Sequence, residues 1–255
     1  MFLNNIFLYS LLFVIGLMFG SFLNVVIYRL PRGESIISPR SHCPDCGHKL
    51  TLLELIPILS YIILGGCCSQ CDSSISLRYP LIELLTGALF VVNVLLAVNV
   101  GSLISGLIFI LFLLPLAVID FDHKILPDKL TLTGMACGFI LSFFSPHISP
   151  LESVAGVLAG GGALLLIAVL ARGGMGGGDI KFMLLIGSFL GPVFAIITIF
   201  LAAILGLMAA LPGIISQNLG LKSKLPFGPF LALAAYILWY FGPELINMYL
   251  QVLNF

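Results

Sequence analysis

Residues 103–129 read Leu-Ile-Ser-Gly-Leu-Ile-Phe-Ile-Leu-Phe-Leu-Leu-Pro-Leu-Ala-Val-Ile-Asp-Phe-Asp-His-Lys-Ile-Leu-Pro-Asp-Lys. Seventeen residues without a charge (103–119) end abruptly at Asp120, and acids and lysines follow at once. An uncharged apolar run approaching about 20 residues is what a helix needs to cross a bilayer. The sudden return of charge marks the water boundary. Seven further runs share this character: 5–28, 81–98, 130–145, 152–171, 182–190, 193–211 and 227–241. The whole chain agrees with this stretch. It has 255 residues, 60% apolar and 9% charged, against about 25% charged in an ordinary soluble domain, and its mean hydropathy is +1.19. These values exclude a soluble globule, a disordered chain and a nucleic-acid binder. What remains is an all-α polytopic membrane protein of about eight transmembrane helices. The formal net charge is zero, so charge implies no polyanionic partner, and the one partner composition demands is the lipid bilayer.

The sixth run is short. It reads as a tilted helix, a broken one, or one arm of a hairpin with the seventh, turning at Gly191-Pro192. The first run is not a cleavable signal peptide, because it lacks a basic leader and its positive charge follows it. Threading eight spans with the N-terminus outside puts all eleven Lys and Arg residues on one face. Residues 1–4, 99–102, 146–151, 191–192 and the C-terminus hold none. By the positive-inside rule the basic face is cytosolic. Seven or nine spans would scatter the charges. The expected organisation is a first span (1–28), a small cytosolic four-cysteine domain (29–80) and a membrane core (81–255). That core carries cytosolic loops at 120–129 and 172–181, and a further basic stretch lies at 212–226.

Cys43-Pro-Asp-Cys46 and Cys68-Ser-Gln-Cys71 are two CxxC units with 21 residues between them. Each such turn points two thiolates at one tetrahedral centre, so the four predict a zinc site. A cytosolic setting argues against disulfides, and a domain of about 50 residues is small enough to need a metal. Four thiolates leave no open coordination position, which makes the metal structural. Cys67 adjoins Cys68 but would leave an irregular CxxxC. His42 and His48 read as solvated loop residues, and Cys137 as a small packing residue in a helix.

Asp120 ends a span, and a carboxylate at that boundary suggests function by default. Asp122 and Asp128 lie further into the loop, and Asp128 is also suited to capping the next helix. The later loop reads Arg172-Gly-Gly-Met-Gly-Gly-Gly-Asp179-Ile-Lys181. Its aspartate also suits a cap, but five glycines exceed what a cap needs and suggest close backbone approach. No strand precedes it, so it is not a dinucleotide loop. Two aspartates sharing a proton can activate water and protonate a leaving amine. Spacing alone leaves open whether they meet, and whether Asp120 or Asp122 is the partner of Asp179.

These motifs together resemble the type IV prepilin peptidases over nearly the whole chain. Residues 20–31 (Gly-Ser-Phe-Leu-Asn-Val-Val-Ile-Tyr-Arg-Leu-Pro) resemble the N-terminal signature of that family. The paired CxxC units and residues 76–83 (Ser-Leu-Arg-Tyr-Pro-Leu-Ile-Glu) match its cytosolic loop, Asp120 through Asp128 its first aspartate motif, Gly176-Gly177-Gly178-Asp179 its GxGD motif, and residues 226–230 (Pro-Phe-Gly-Pro-Phe) a late signature. One departure is Cys67, where the family usually has a basic residue. The resemblance implies catalytic Asp120 and Asp179, with Gly176, Gly178, Lys181 and Asp128 as supporting or substrate-binding residues. It implies cleavage of the basic leader of prepilins or pseudopilins after glycine, at the cytosolic face of the bacterial inner membrane. It further implies methylation of the new N-terminal amine, usually of phenylalanine, with S-adenosylmethionine as donor. Glu54, Asp72 and Glu83 are candidates to assist that step by location only. A transporter would be expected to place charges near the midplane rather than at one surface. A non-enzymatic zinc-bearing pilus assembly factor would need the cysteines but not the aspartates.

Overall fold

A computed structural model describes residues 6–145, 148–170, 176–215 and 225–252. Its regular structure is helical: α1 (Ile6–Arg29), α2 (Leu59–Ile63), α3 (Arg78–Leu96), α4 (Val100–His123), α5 (Asp128–Ser142), α6 (Pro150–Leu170), α7 (Gly177–Ile215) and α8 (Gly228–Val252). Six of these helices, α1, α3, α4, α6, α7 and α8, are long and apolar enough to cross a membrane. The chain divides into two compact units, residues 1–96 and 97–255.

In the first unit α1 packs on α3 through small residues. A methyl group on Gly16 would lie 2.7 Å from the Gly87 Cα, and one on Gly20 would lie 2.6 Å from the Glu83 Cα. Gly16 and Gly20 stand four apart, so one face of α1 is bare and the two backbones touch, the usual device for joining helices in lipid. Asn24 donates to the Tyr79 carbonyl at 3.0 Å and ties the C-terminal end of α1 to the start of α3. Buried Arg29 then donates to the carbonyl of Ser35 and, more weakly, to that of Arg40, turning the chain into the cysteine loop.

In the second unit α4 starts at a capping box, Asn99 and Ser102 exchanging side-chain and backbone bonds. Ser149 and Glu152 make a similar pair at the start of α6. The predicted short sixth span is resolved as the first arm of α7. Gly191 has φ 74° and interrupts the helix. A methyl group on Gly160 of α6 would lie 3.2 Å from the Met183 carbonyl and 3.1 Å from the Ala195 Cβ. In a straight helix residues 183 and 195 would stand about 18 Å apart at 1.5 Å per residue. The two arms of α7 therefore fold back on each other at Gly191-Pro192, as the hairpin reading expects.

The first arm is the centre of this unit. Phe182, Met183, Leu185 and Ile186 are fully buried. Gly134 and Gly138 of α5 admit Leu185, Ser188 and Phe189 from one side, while Gly156 and Gly187 bring the α6 and α7 backbones into contact on the other. Phe109 stacks on Phe189 at 4.5 Å, with Trp239 of α8 tilted against both. The arm's apolar run is short because Lys181 and the Gly191-Pro192 break bound it. The fourth predicted span appears as the 15-residue α5.

Candidate functional site

Asp120 lies in the last turn of α4, which Lys124 closes in the left-handed conformation with its N–H on the Asp120 carbonyl at 2.9 Å. The Asp120 side chain is buried, whereas Asp122, two residues on, is exposed. The Gly228 N–H, at the start of α8, donates to Asp120 Oδ2 at 2.8 Å. A methyl group on Gly228 would lie 2.7 Å from that oxygen, so no larger residue fits without moving the carboxyl group. Sequence reasoning noted Gly228 only inside a signature and gave it no task; contact across 108 positions leaves no local trace.

Asp179 is in the first turn of α7 and half-buried, its carboxylate accepting the Gly176 N–H. Asp179 follows Gly178, which packs on Leu126 of the loop that leaves α4 just after Asp120, so the two acids stand at neighbouring helix ends. The α7 start is held against the α4–α5 loop: a methyl on Gly178 would lie 3.0 Å from the Leu126 Cβ. Lys181 Nζ donates to both carboxylate oxygens of Asp128 at 2.7 Å. Pro127, not Asp128, occupies the cap position of α5, so the expectation that Asp128 caps is replaced by a link between the starts of α5 and α7. Of the glycine loop, residues 171–175 lie outside the described residues, as do Lys222 and Lys224.

In the first unit Cys43, Cys46, Cys68 and Cys71 place their four sulfurs within 4.8 Å of one another. The Cys43–Cys71 and Cys46–Cys68 sulfurs are 3.9 Å apart. Four thiolates at about 2.3 Å from a tetrahedral zinc would stand about 3.8 Å apart, so the cluster fits such a metal. The two turns repeat one another. The Cys43 N–H meets the His48 carbonyl and the Gly47 N–H the Cys43 carbonyl, while Cys68 and Ser73, Asp72 and Cys68 do the same in the second turn. Gly47 (φ 73°) and Asp72 (φ 56°) hold the equivalent left-handed position. Asp72 is thus a turn residue. Cys67 pairs with Ser74 in an isolated bridge and stays outside the cluster. The Cys46 backbone N–H, with Ser73 assisting, holds the Cys43 thiol below its ordinary range, while the neighbouring thiols and burial push that of Cys46 up.

Glu54 joins the two turns. It accepts from the Ser69 hydroxyl, the Thr51 N–H and hydroxyl, and the His48 ring. Ser69 leads these donors in holding its carboxyl down to about 2. His48 is therefore not the solvated loop residue expected from sequence; it is half-buried and bound to Glu54, while His42 is exposed. Glu83, the third candidate for methyl transfer, is buried and accepts the Ile58 N–H at 2.8 Å.

Fold and sites together define a class: a multi-pass helical membrane protein with acids at the end of α4 and the start of α7 and a metal-competent four-cysteine loop. The model of the bacterial peptidase A24 N-terminal domain matches residues 14–97, and that of the type IV leader peptidase family matches residues 107–211. A prepilin leader peptidase/N-methyltransferase of Dichelobacter nodosus is 36% identical over 92% of each chain. A protein of that name from Bacillus subtilis is 34% identical over 95% of this chain and 98% of its own, and another from Pseudomonas aeruginosa is 33% identical over 95% and 93%. No solved structure matches. The chain belongs to the type IV prepilin leader peptidase/N-methyltransferase family, peptidase A24.

Proposed function

We propose that this protein removes the leader of type IV prepilins or pseudopilins and then methylates the exposed N-terminal amine. What supports the cleavage step is that Asp120 ends α4 and Asp179 begins α7, with Gly178 packed on Leu126 of the loop that follows Asp120. One acid, ionised, takes a proton from a water held between them; the other, protonated, polarises the scissile carbonyl. The water oxygen bonds to the carbonyl carbon, the peptide C–N bond breaks, and the leaving amine takes up a proton. The Gly228 N–H occupies one Asp120 oxygen, which leaves the other for that water. Gly176 admits the substrate backbone beside Asp179, Gly178 lets the start of α7 pack on Leu126, and the Lys181–Asp128 pair ties the starts of α5 and α7 together.

In this reading residues 29–80 form a cytosolic domain whose four cysteines hold a structural zinc, and residues 81–255 form the peptidase core. The positive-inside pattern places the N-terminus outside and both activities at the cytosolic face of the inner membrane. S-adenosylmethionine is the proposed methyl donor, and the substrate amine must be unprotonated to accept the methyl group. Two features weigh against a transporter: the acids sit at helix ends, and family members carry the peptidase name. The test is incubation of the detergent-solubilised protein with a prepilin. Asp120→Asn and Asp179→Asn are expected to insert normally and to leave the leader in place. Normal leader removal by Asp179→Asn would refute its catalytic role.

A further inference from the structure

Residues 52–64 read Leu-Leu-Glu-Leu-Ile-Pro-Ile-Leu-Ser-Tyr-Ile-Ile-Leu, with one charge in thirteen positions. That charge, Glu54, is turned inward to Ser69, Thr51 and His48. The apolar side chains are turned outward instead: Leu52, Leu53, Leu59, Ile62 and Ile63 are exposed by 56% to 80%. This is the reverse of a water-facing loop. A contiguous outward patch of leucine and isoleucine marks a surface that something covers.

What covers it follows from where the segment is tied. Ile58 gives its N–H to Glu83, five residues inside the start of membrane helix α3, about 7.5 Å along the axis. Helical side chains lean toward the N-terminus, so the glutamate holds Ile58 near the mouth of α3 rather than deep beside it. Ile58 itself sits at φ 61° at the centre of a tight turn, the Leu59 N–H meeting the Pro57 carbonyl at 2.6 Å. A β-branched residue adopts that conformation only where its surroundings impose it, and the Glu83 bond is the visible constraint. Tyr28, Arg32 and Tyr79 mark the headgroup level at the ends of α1 and α3. Leu77, just before α3, and Leu81 and Leu84 within it are likewise exposed.

We propose that residues 52–64 form an interfacial element whose leucine and isoleucine face inserts into the bilayer boundary, on the surface where α1 ends and α3 begins. The partner is the lipid surface itself. With no basic residue in the segment, recognition is apolar and independent of anionic headgroups. The cysteine turns, bound to this element through Glu54, are thereby held against the membrane rather than suspended in water.

The test uses the full chain reconstituted in phosphatidylcholine vesicles with brominated acyl chains. The single native tryptophan is removed as Trp239→Phe, and Ile62→Trp or Leu53→Trp is introduced. Expected is loss of emission with brominated lipid and protection from iodide. Iodide quenching without bromolipid quenching overturns the proposal, since the face is then in water. Quenching by neither, with emission that varies with the protein-to-lipid ratio, also overturns it, since a second protein copy then covers the face. Should Trp239→Phe fail to fold, benzoylphenylalanine at position 63 of the otherwise unaltered chain serves the same purpose. Crosslinks to lipid support the proposal, and crosslinks to protein alone overturn it.

Discussion

Replacing Gly228 by alanine tests the geometry of the paired acids without touching either acid. The added methyl group would lie 2.7 Å from Asp120 Oδ2 and 2.9 Å from its Cβ. Carbon and oxygen rarely approach closer than about 3.3–3.6 Å, so the carboxyl group or the start of α8 must move by about 0.6–0.9 Å. Displacements near 1 Å at a reacting group cost about 10²-fold in rate. The move also strains the 2.8 Å bond from the Gly228 N–H, and bonds to charged groups contribute about 1.5–3 kcal/mol. Leader cleavage is therefore expected to fall by about 10- to 100-fold, at about tenfold per 1.4 kcal/mol. The assay is the initial rate of leader removal from a prepilin in mixed detergent micelles. Methylation of an already cleaved pilin by the same preparation is expected to continue at the unaltered rate, which controls for folding. Cleavage at the unaltered rate would refute the claim that the Gly228 contact positions Asp120.

Three other outcomes follow from the same geometry. Chelation of the proposed zinc, or Cys43→Ser, is expected to lower methylation more than cleavage, measured on separate substrates; equal loss of both would show that the cysteine domain simply holds the enzyme together. Glu54→Gln removes the acceptor that joins Ser69, Thr51 and His48, and is expected to raise proteolysis of the loop at pH 7. Because the Glu54 carboxyl is held down to about 2 when folded, its contribution is complete above its unfolded value of about 4.3 and is lost as pH falls toward 2. Loop protection in the unaltered chain and in Glu54→Gln should then converge in that window, and a difference that persists at the lowest pH would contradict it. Lys181→Gln breaks an exposed pair worth about 0.2–1 kcal/mol, so cleavage should drop only slightly, and added salt should reproduce most of the drop in the unaltered enzyme.

The amino-acid sequence alone disclosed what local chemistry encodes. Bilayer insertion depends on the apolar content of a continuous run, so residues 103–119 and their counterparts declare themselves without reference to one another. The regular CxxC spacing selected Cys68 over Cys67, because a turn of that length fixes where two sulfurs point. Asp120 and Asp179 were visible as acids at span ends. Other features required the folded chain, because each depends on residues far apart in sequence meeting in space. Segment 182–190 looked too short until the break at Gly191 and the approach of both Met183 and Ala195 to Gly160 showed it to be one arm of α7. Asp128 read as a cap until Lys181, 53 positions away, was found bonded to it. Glu54 was a methyl-transfer candidate by location and His48 a solvated loop residue until the fold brought Ser69, Thr51 and His48 to the one Glu54 carboxylate. Gly228 shows the limit most plainly: a missing side chain has meaning only through the atom that takes its space, and that atom belongs to Asp120.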